Sequence, residues 1–311
     1  MVPDSQMALP FGVTEGRVNF TFVEGANVLG AALAIAGPGR AAKAFARSWV
    51  SAGGHLGPIV SRHLASAERF AREIGEGQPG TSTDARFRCE VLVLGVPDDA
   101  IEIAARELAP RVSCRLAFHL SGARPAELLA PFRAQRASVG SLHPLRAFHG
   151  DPSESWNDAF VAVEGDRPAV DAGVRIAIAL GARAREVPAK SKPLYHAAAT
   201  LAAGGCVSLV SMAARMWASL GLPEEEARAA LGRLGAEALT SLEKQPFEDA
   251  LTGPISRRDV GTVRDHVAGL APLADVLAVY RLLAEETIAR TSGRGSEDEM
   301  RSALKGRDGK S

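Results

Sequence analysis

Lys192 and His196 stand four residues apart in "KPLYHAAA" (192–199), a stretch of helical character, so both project from one helix face. An ammonium and an imidazole on one face can hold and move protons at a reacting oxygen. Lys190 lies two residues earlier, and a small shift of the helix start would exchange the roles of the two lysines. Two further histidines close short apolar runs, His119 in "FHLSGA" (118–123) and His143 in "GSLHPL" (140–145). Ser121 can hydrogen-bond a carboxylate or carbonyl, or cap the helical stretch 124–132 that follows it. In "LTGPISRRD" (251–259), Thr252, Arg257 and Asp259 sit on a loop; a guanidinium there can fork onto a carboxylate, and Asp259 equally suits a helix N-cap. Tyr195 points away from the Lys192 and His196 face and reads as a packing residue.

A second group of residues suits phosphate. Gly37-Pro38-Gly39-Arg40-Ala41-Ala42 follows the apolar run 33–36 and opens a helix, the context in which a G-x-G-x-x-A pattern has meaning. Gly37 allows the tight turn, Gly39 lets backbone approach a pyrophosphate, and Ala42 is small enough for close helix–strand packing. The helix start presents unpaired N–H groups to an anion. An acid that accepts from both ribose hydroxyls is expected about 20 residues on; Ser61 and Arg62 occupy that place. A hydroxyl and a guanidinium suit a 2′-phosphate, so the expected cofactor is NADP. Val96-Pro97-Asp98, at the end of the run 91–95, would border the same ligand.

The elements that must position these groups are legible in outline. Apolar runs at 33–36, 58–61, 90–95, 115–119, 138–141 and 159–163 alternate with helical spacing at 40–52, 66–74 and 98–108, the pattern of a doubly wound parallel sheet. Ser66 and Asp98 are the expected N-caps of the last two. Beyond Lys192, alanine and leucine dominate and helices are expected at about 192–219, 223–243, 259–269 and 272–290. The expected organisation is a lead-in over 1–30, a Rossmann NADP-binding domain over 31–188, an all-α domain over 189–291 and a loose charged tail over 292–311. The fold class is therefore α/β followed by a helical domain.

Composition narrows the partners. Lys plus Arg total 36 and Asp plus Glu total 36, which gives no field for nucleic acid or anionic lipid. Cys89, Cys114 and Cys206 are scattered among apolar residues, as in a reducing cytoplasm. No apolar run is read as reaching the roughly 18 residues of a membrane span. No metal-ligand spacing and no nucleophile elbow is seen. A small-molecule substrate is expected.

Five motifs, taken in order from the glycine turn to "LTGPISRRD", resemble a Rossmann-like oxidoreductase family with a C-terminal domain of unknown function. That family lies in the 6-phosphogluconate dehydrogenase superfamily, near pyrroline-5-carboxylate reductase, prephenate dehydrogenase and ketopantoate reductase. The resemblance covers about residues 32–290. It implies NADP, a 6-phosphogluconate-dehydrogenase-like helical domain that forms a homodimer, and reduction of a small 2-oxo acid, ketopantoate-like, or of a cyclic imine. By the same resemblance Lys192 is the proton donor, His196 orients the reacting group, Ser121 and His143 complete the catalytic set, and His119, Thr252, Arg257 and Asp259 contact substrate. The chain departs from the family pattern at Gly204-Gly205, where Ser-Asn is usual, and at Arg258, where glycine is usual. Those departures keep open a non-catalytic NADP-binding sensor or scaffold. A dehydrogenase running in the opposite direction, or one using a deazaflavin, also fits such a fold.

Overall fold

The structure, a computed structural model, describes residues 28–306. The expected lead-in over 1–30 lies outside the described residues except for one short turn, Val28–Gly30. Contacts divide the chain into two compact units, with the division between Tyr195 and His196.

The first unit starts with β1 (Leu33–Ala36), α1 (Arg40–Ser51), β2 (Leu56–Ser61), α2 (Leu64–Ile74) and β3 (Gln78–Thr81). It continues through β4 (Phe87–Arg88), β5 (Val91–Leu94), α3 (Ile101–Leu108), β6 (Val112–Ser113) and β7 (Leu116–His119). A 3-10 stretch, Ala126–Gln135, then leads to β8 (Ser138–Pro144), β9 (Phe160–Gly165), α4 (Arg167–Ala179) and β10 (Arg183–Glu186). Eight of these strands form one sheet in the order β10-β9-β8-β7-β5-β1-β2-β3. Every pairing is parallel except β8 with β9.

Both central strands, β1 and β5, are buried throughout, as expected of a sheet covered on two faces. The two-residue period sends Leu33 and Ile35 toward Phe45, Trp49, Phe70 and Trp156, while Ala34 and Ala36 face Ile101, Leu129 and Phe132. Two apolar cores therefore clamp the sheet, and the carboxyl ends of β1, β5 and β7 open on one edge. The expected caps are replaced: His63 precedes α2, and Asp98 lies within a 3-10 turn before α3, neither Ser66 nor Asp98 providing a side-chain cap.

The second unit is helical. It begins within a helix of 31 residues, Ala189–Ser219, whose first seven residues belong to the first unit and which is made of a 3-10 turn, α5 (Lys192–Thr200), a wide π turn (Leu201–Gly205) and α6 (Cys206–Ser219). In length and apolar composition this helix could cross a membrane, which corrects the reading that no segment reaches that span. The rest is α7 (Glu224–Thr240), α8 (Phe247–Ala250), α9 (Val260–Leu270), α10 (Ala274–Arg290) and α11 (Glu297–Lys305). α11 corrects the expected loose tail. Ser296 caps it by accepting from the Glu299 amide, and Met300, Ala303 and Leu304 are buried against Val263, Val267, Ala284 and Ile288. Three apolar residues at helical spacing suffice to dock a charged helix on a waiting core.

Candidate active site

The glycine turn is closed by steric necessity. Gly37 has φ +88, a left-handed conformation, and its amide donates to the Val60 carbonyl at 2.8 Å. A Cβ on Gly39 would lie 2.5 Å from the Gly95 carbonyl oxygen, and one on Gly95 would lie 2.4 Å from the Ala42 Cβ. Backbone therefore meets backbone at the end of β1 and β5. Gly39 precedes α1 with no side chain to cap it, so the first amides of the helix are left for an anion. Beside them is a cleft of about 350 Å³ lined by Gly39, Arg40, Ala41, Ala42, Val96, Pro97 and Asp98 of the expected residues, together with Ser121 and Phe148; Gly37 and Pro38 shape the turn but do not line it. Gly95 and Phe148 were not singled out in the sequence. Gly95 had a signal, a glycine ending an apolar strand opposite the turn; Phe148 comes from the β8–β9 loop and had none. Ser61 ends β2 and Arg62 follows it in the short link to α2; neither lines this cleft, and Arg62 is exposed.

A buried polar cluster adjoins Ser121. Lys192 is 3% exposed, and its Nζ donates to Ser141 Oγ at 2.6 Å and to the Ser121 carbonyl at 3.2 Å. Glu164 Oε2 lies 3.5 Å from the same nitrogen and accepts from the Ala126 amide at 2.8 Å. Ser141 and Glu164 are direct partners across the antiparallel β8–β9 pair. Burial pushes the Lys192 ammonium below the ordinary lysine range, opposed by the charges of Glu164 and Asp98. Three acceptors thus face the three hydrogens of the ammonium. Glu164 is the residue that sequence reasoning missed. Its signal was a lone acid in the apolar run "FVAVEG" (160–165), since a carboxylate in a buried strand requires a cation or donors.

His119 is corrected from a substrate contact to a structural residue. It is fully buried, its Nδ1 accepts from the Ser121 amide at 3.1 Å, and its Nε2 is 3.1 Å from the Pro125 carbonyl, to which it donates. Burial first, and then the Lys192 charge, push its pKa down to about 3, so the ring is neutral. Ser121 keeps its place on the cleft, but its hydroxyl caps a turn by accepting from the Ala123 and Arg124 amides at 3.2 and 3.0 Å.

His143 has a partner that the sequence did not suggest. Its Nδ1 is 2.9 Å from Tyr195 Oη, with the two rings edge to face. The imidazole also lies on Gly122, where a Cβ would come within 2.6 Å of its Cε1. This corrects the reading of Tyr195 as a packing residue turned away from Lys192: both side chains reach β8, Lys192 at Ser141 and Tyr195 at His143.

His196, Thr252, Arg257 and Asp259 belong to the second unit. Asp259 is corrected to an N-cap of α9: its carboxylate accepts from the Thr262 amide and hydroxyl at 3.1 and 2.7 Å, which lowers its pKa. Thr252 and Arg257 are exposed on the loop before α9. Arg258 adopts φ +60, a conformation that favours glycine. Its guanidinium holds the loop to the end of α10, donating to the Ile255, Ile288 and Thr291 carbonyls and to Thr291 Oγ1. The departure at 258 is therefore compensated by bonds that glycine cannot make. Gly204 and Gly205 lie in the π turn.

Comparison with known proteins agrees with this architecture. No curated protein matches the chain. Protein TM1727 from Thermotoga maritima is 23% identical, with a TM-score of 0.69 over 83% of this chain and 98% of its own. A 1-pyrroline-5-carboxylate reductase from Streptococcus pyogenes is 14% identical, with a TM-score of 0.58 over 84% and 98%. An imine reductase from Myxococcus stipitatus in complex with NADP+ is 15% identical, with a TM-score of 0.56 over 88% and 99%. At the level of family models, residues 25–144 match a Rossmann-like domain and residues 159–287 match DUF2520, a domain of unknown function. The chain is thus a Rossmann-like domain followed by a DUF2520 domain.

Proposed function

We propose that this protein is an NADP-dependent oxidoreductase that reduces a small molecule bearing a C=O or C=N group, a 2-oxo acid or a cyclic imine. The carrying observation is the seam of Gly37, Gly39 and Gly95 against Ala42, in which a Cβ added at any of the three glycines collides, beside a cleft that runs from the α1 amides to Asp98 and Ser121. That seam fits a pyrophosphate approached by backbone alone. Bound there, a nicotinamide nucleotide would supply hydride. The amides of α1 and the Arg40 side chain would hold its phosphates, and Ser61 with Arg62 at the end of β2 would receive the 2′-phosphate. Support for an imine or carbonyl substrate comes from structures of the same fold whose named activities are pyrroline-5-carboxylate reductase and imine reductase.

The charged Lys192 is the electrostatic centre of this reading. A partly desolvated ammonium below Ser121 favours negative charge developing on a substrate atom nearby. A homodimer formed through the helical domain, in a reducing cytoplasm, completes the proposal; the apolar side chains exposed on Leu201, Val207 and Leu220 support it.

Fluorescence titration of the purified protein with NADPH and NADH tests the cofactor. Tighter NADPH binding that weakens at least tenfold in Arg62→Ala is expected, and preference for NADH would overturn the role of Arg62. NADPH oxidation with pyruvate, ketopantoate and 1-pyrroline-5-carboxylate then tests the reaction, and NADPH binding without turnover on any of them would favour a sensor.

A further inference from the structure

Resting on the reductase reading, we propose that Tyr195, aligned by His143, is the proton donor to the reduced substrate, and that Lys192 acts as a fixed charge rather than as the acid.

The geometry separates two rungs between α5 and β8. Ser141 and His143 are two apart on a strand and share a face, while Lys192 and Tyr195 are three apart on a helix and also share a face. The first rung joins Lys192 to Ser141 at 2.6 Å, and the second joins Tyr195 to His143 at 2.9 Å. On the first rung, the amine is 3% exposed and its three hydrogens meet Ser141, the Ser121 carbonyl and Glu164. Giving up its proton would leave the Glu164 carboxylate buried beside a neutral amine, a costly state.

The second rung is built differently. Both Tyr195 and His143 are half-buried, so neither is sealed from solvent as Lys192 is. The rung stands against Gly122, the residue after cleft-lining Ser121. Gly122 has no side chain to displace the imidazole. Burial pushes the phenol up to about 12, so it keeps its proton at neutral pH and is a competent acid toward an alkoxide or amide anion.

A bound reduced nicotinamide would supply the hydride for the new C–H bond and be left oxidised, and the π pair of C=O or C=N would move to oxygen or nitrogen. Tyr195 Oη–H breaks and the new O–H or N–H bond takes that proton. The phenolate regains its proton by relay through the imidazole, Nδ1–H passing to Oη as Nε2 takes up a solvent proton, so that the net proton consumed comes from solvent.

The test uses the full chain. First, ¹H–¹⁵N NMR of the His143 ring in the ligand-free protein is followed against pH in the unmodified protein and in Tyr195→Phe. A clear change of the Nδ1 resonance and of its titration midpoint is expected, and identical curves would remove the pairing. Second, NADPH affinity and turnover are measured on whichever of pyruvate, ketopantoate or 1-pyrroline-5-carboxylate is reduced. Tyr195→Phe should retain NADPH affinity within about twofold and lose about 100-fold or more in kcat, the scale of a general acid. His143→Gln should lower kcat by less, with KM little changed. Near-normal kcat in Tyr195→Phe overturns the donor assignment while leaving the reductase reading intact. An unmodified protein that neither binds NADPH nor turns over overturns the reductase reading and the donor assignment with it.

Discussion

His119 shows how much one side chain can be constrained by its neighbours without doing chemistry. Its two nitrogens are spent on backbone, one accepting and one donating, so the neutral ring is the form that fits. The folded pKa near 3 lies below the ordinary 6.5 of an unfolded chain. Between those values the unfolded chain binds a proton that the native state refuses, so stability is full above about pH 6.5 and falls as pH drops through the window. The slope is about 1.4 kcal/mol per pH unit for this group. Urea unfolding at pH 7 and pH 5 measures it; His119→Asn is expected to have a shallower dependence over that range, and an equal slope would refute the neutral assignment. From the sequence alone His119, His143 and Ser121 looked alike, each a polar residue closing an apolar run. What separates them is the partner each meets, and those partners, Pro125 for His119 and Tyr195 for His143, are fixed by packing rather than by spacing along the chain.

At the scale of elements, α11 is the clearest departure from expectation. Its charged sequence "EDEMRSALK" has few apolar residues, yet Met300, Ala303 and Leu304 all point at one core, and Met300 is fully buried. Met300→Ala should destabilise the second unit by about 2–5 kcal/mol, read as a lowered thermal midpoint. Ala substitution of exposed Lys305 serves as the control that should not move it. The strands that carry the site were legible, since β1, β2, β5, β7, β8 and β9 all coincide with apolar runs. β3 and β10 were not, because "QPGT" and "RARE" lie at the two edges of the sheet and bury no continuous face. Edge strands are defined by hydrogen bonds to a neighbour, which side-chain patterning does not record. The glycine turn was legible for the opposite reason: its requirement is local, a left-handed residue and two missing Cβ atoms. Glu164 fell between these cases, visible as an anomaly in a strand but without a partner until β8 and α5 were brought beside it.

At the scale of the molecule, balanced charge and exposed apolar side chains act in the same direction. Lys plus Arg equal Asp plus Glu at 36 each, so no net repulsion opposes association. Leu201, Val207, Leu220 and Leu282 are each more than 70% exposed, apolar surface in the helical unit that a second copy would cover under the dimer proposal. Sedimentation velocity is expected to show a dimer that Leu201→Glu and Val207→Glu shift toward monomer; a monomer in the unmodified protein would end that expectation. Partition of the protein into neutral lipid vesicles would instead assign the apolar helix Ala189–Ser219 to a bilayer. The π turn at Leu201–Gly205 adds a constraint of another kind. A wide turn holds one residue more than a regular one, and one residue amounts to about 100° of helix rotation. Removing Gly204 would let the backbone return to a regular α-helix while keeping the alignment of α6, whereas the same deletion in regular helix would turn every later side chain away from its partners. The turn is therefore the position in this helix where a change of chain length can be absorbed without rewriting the surface that follows.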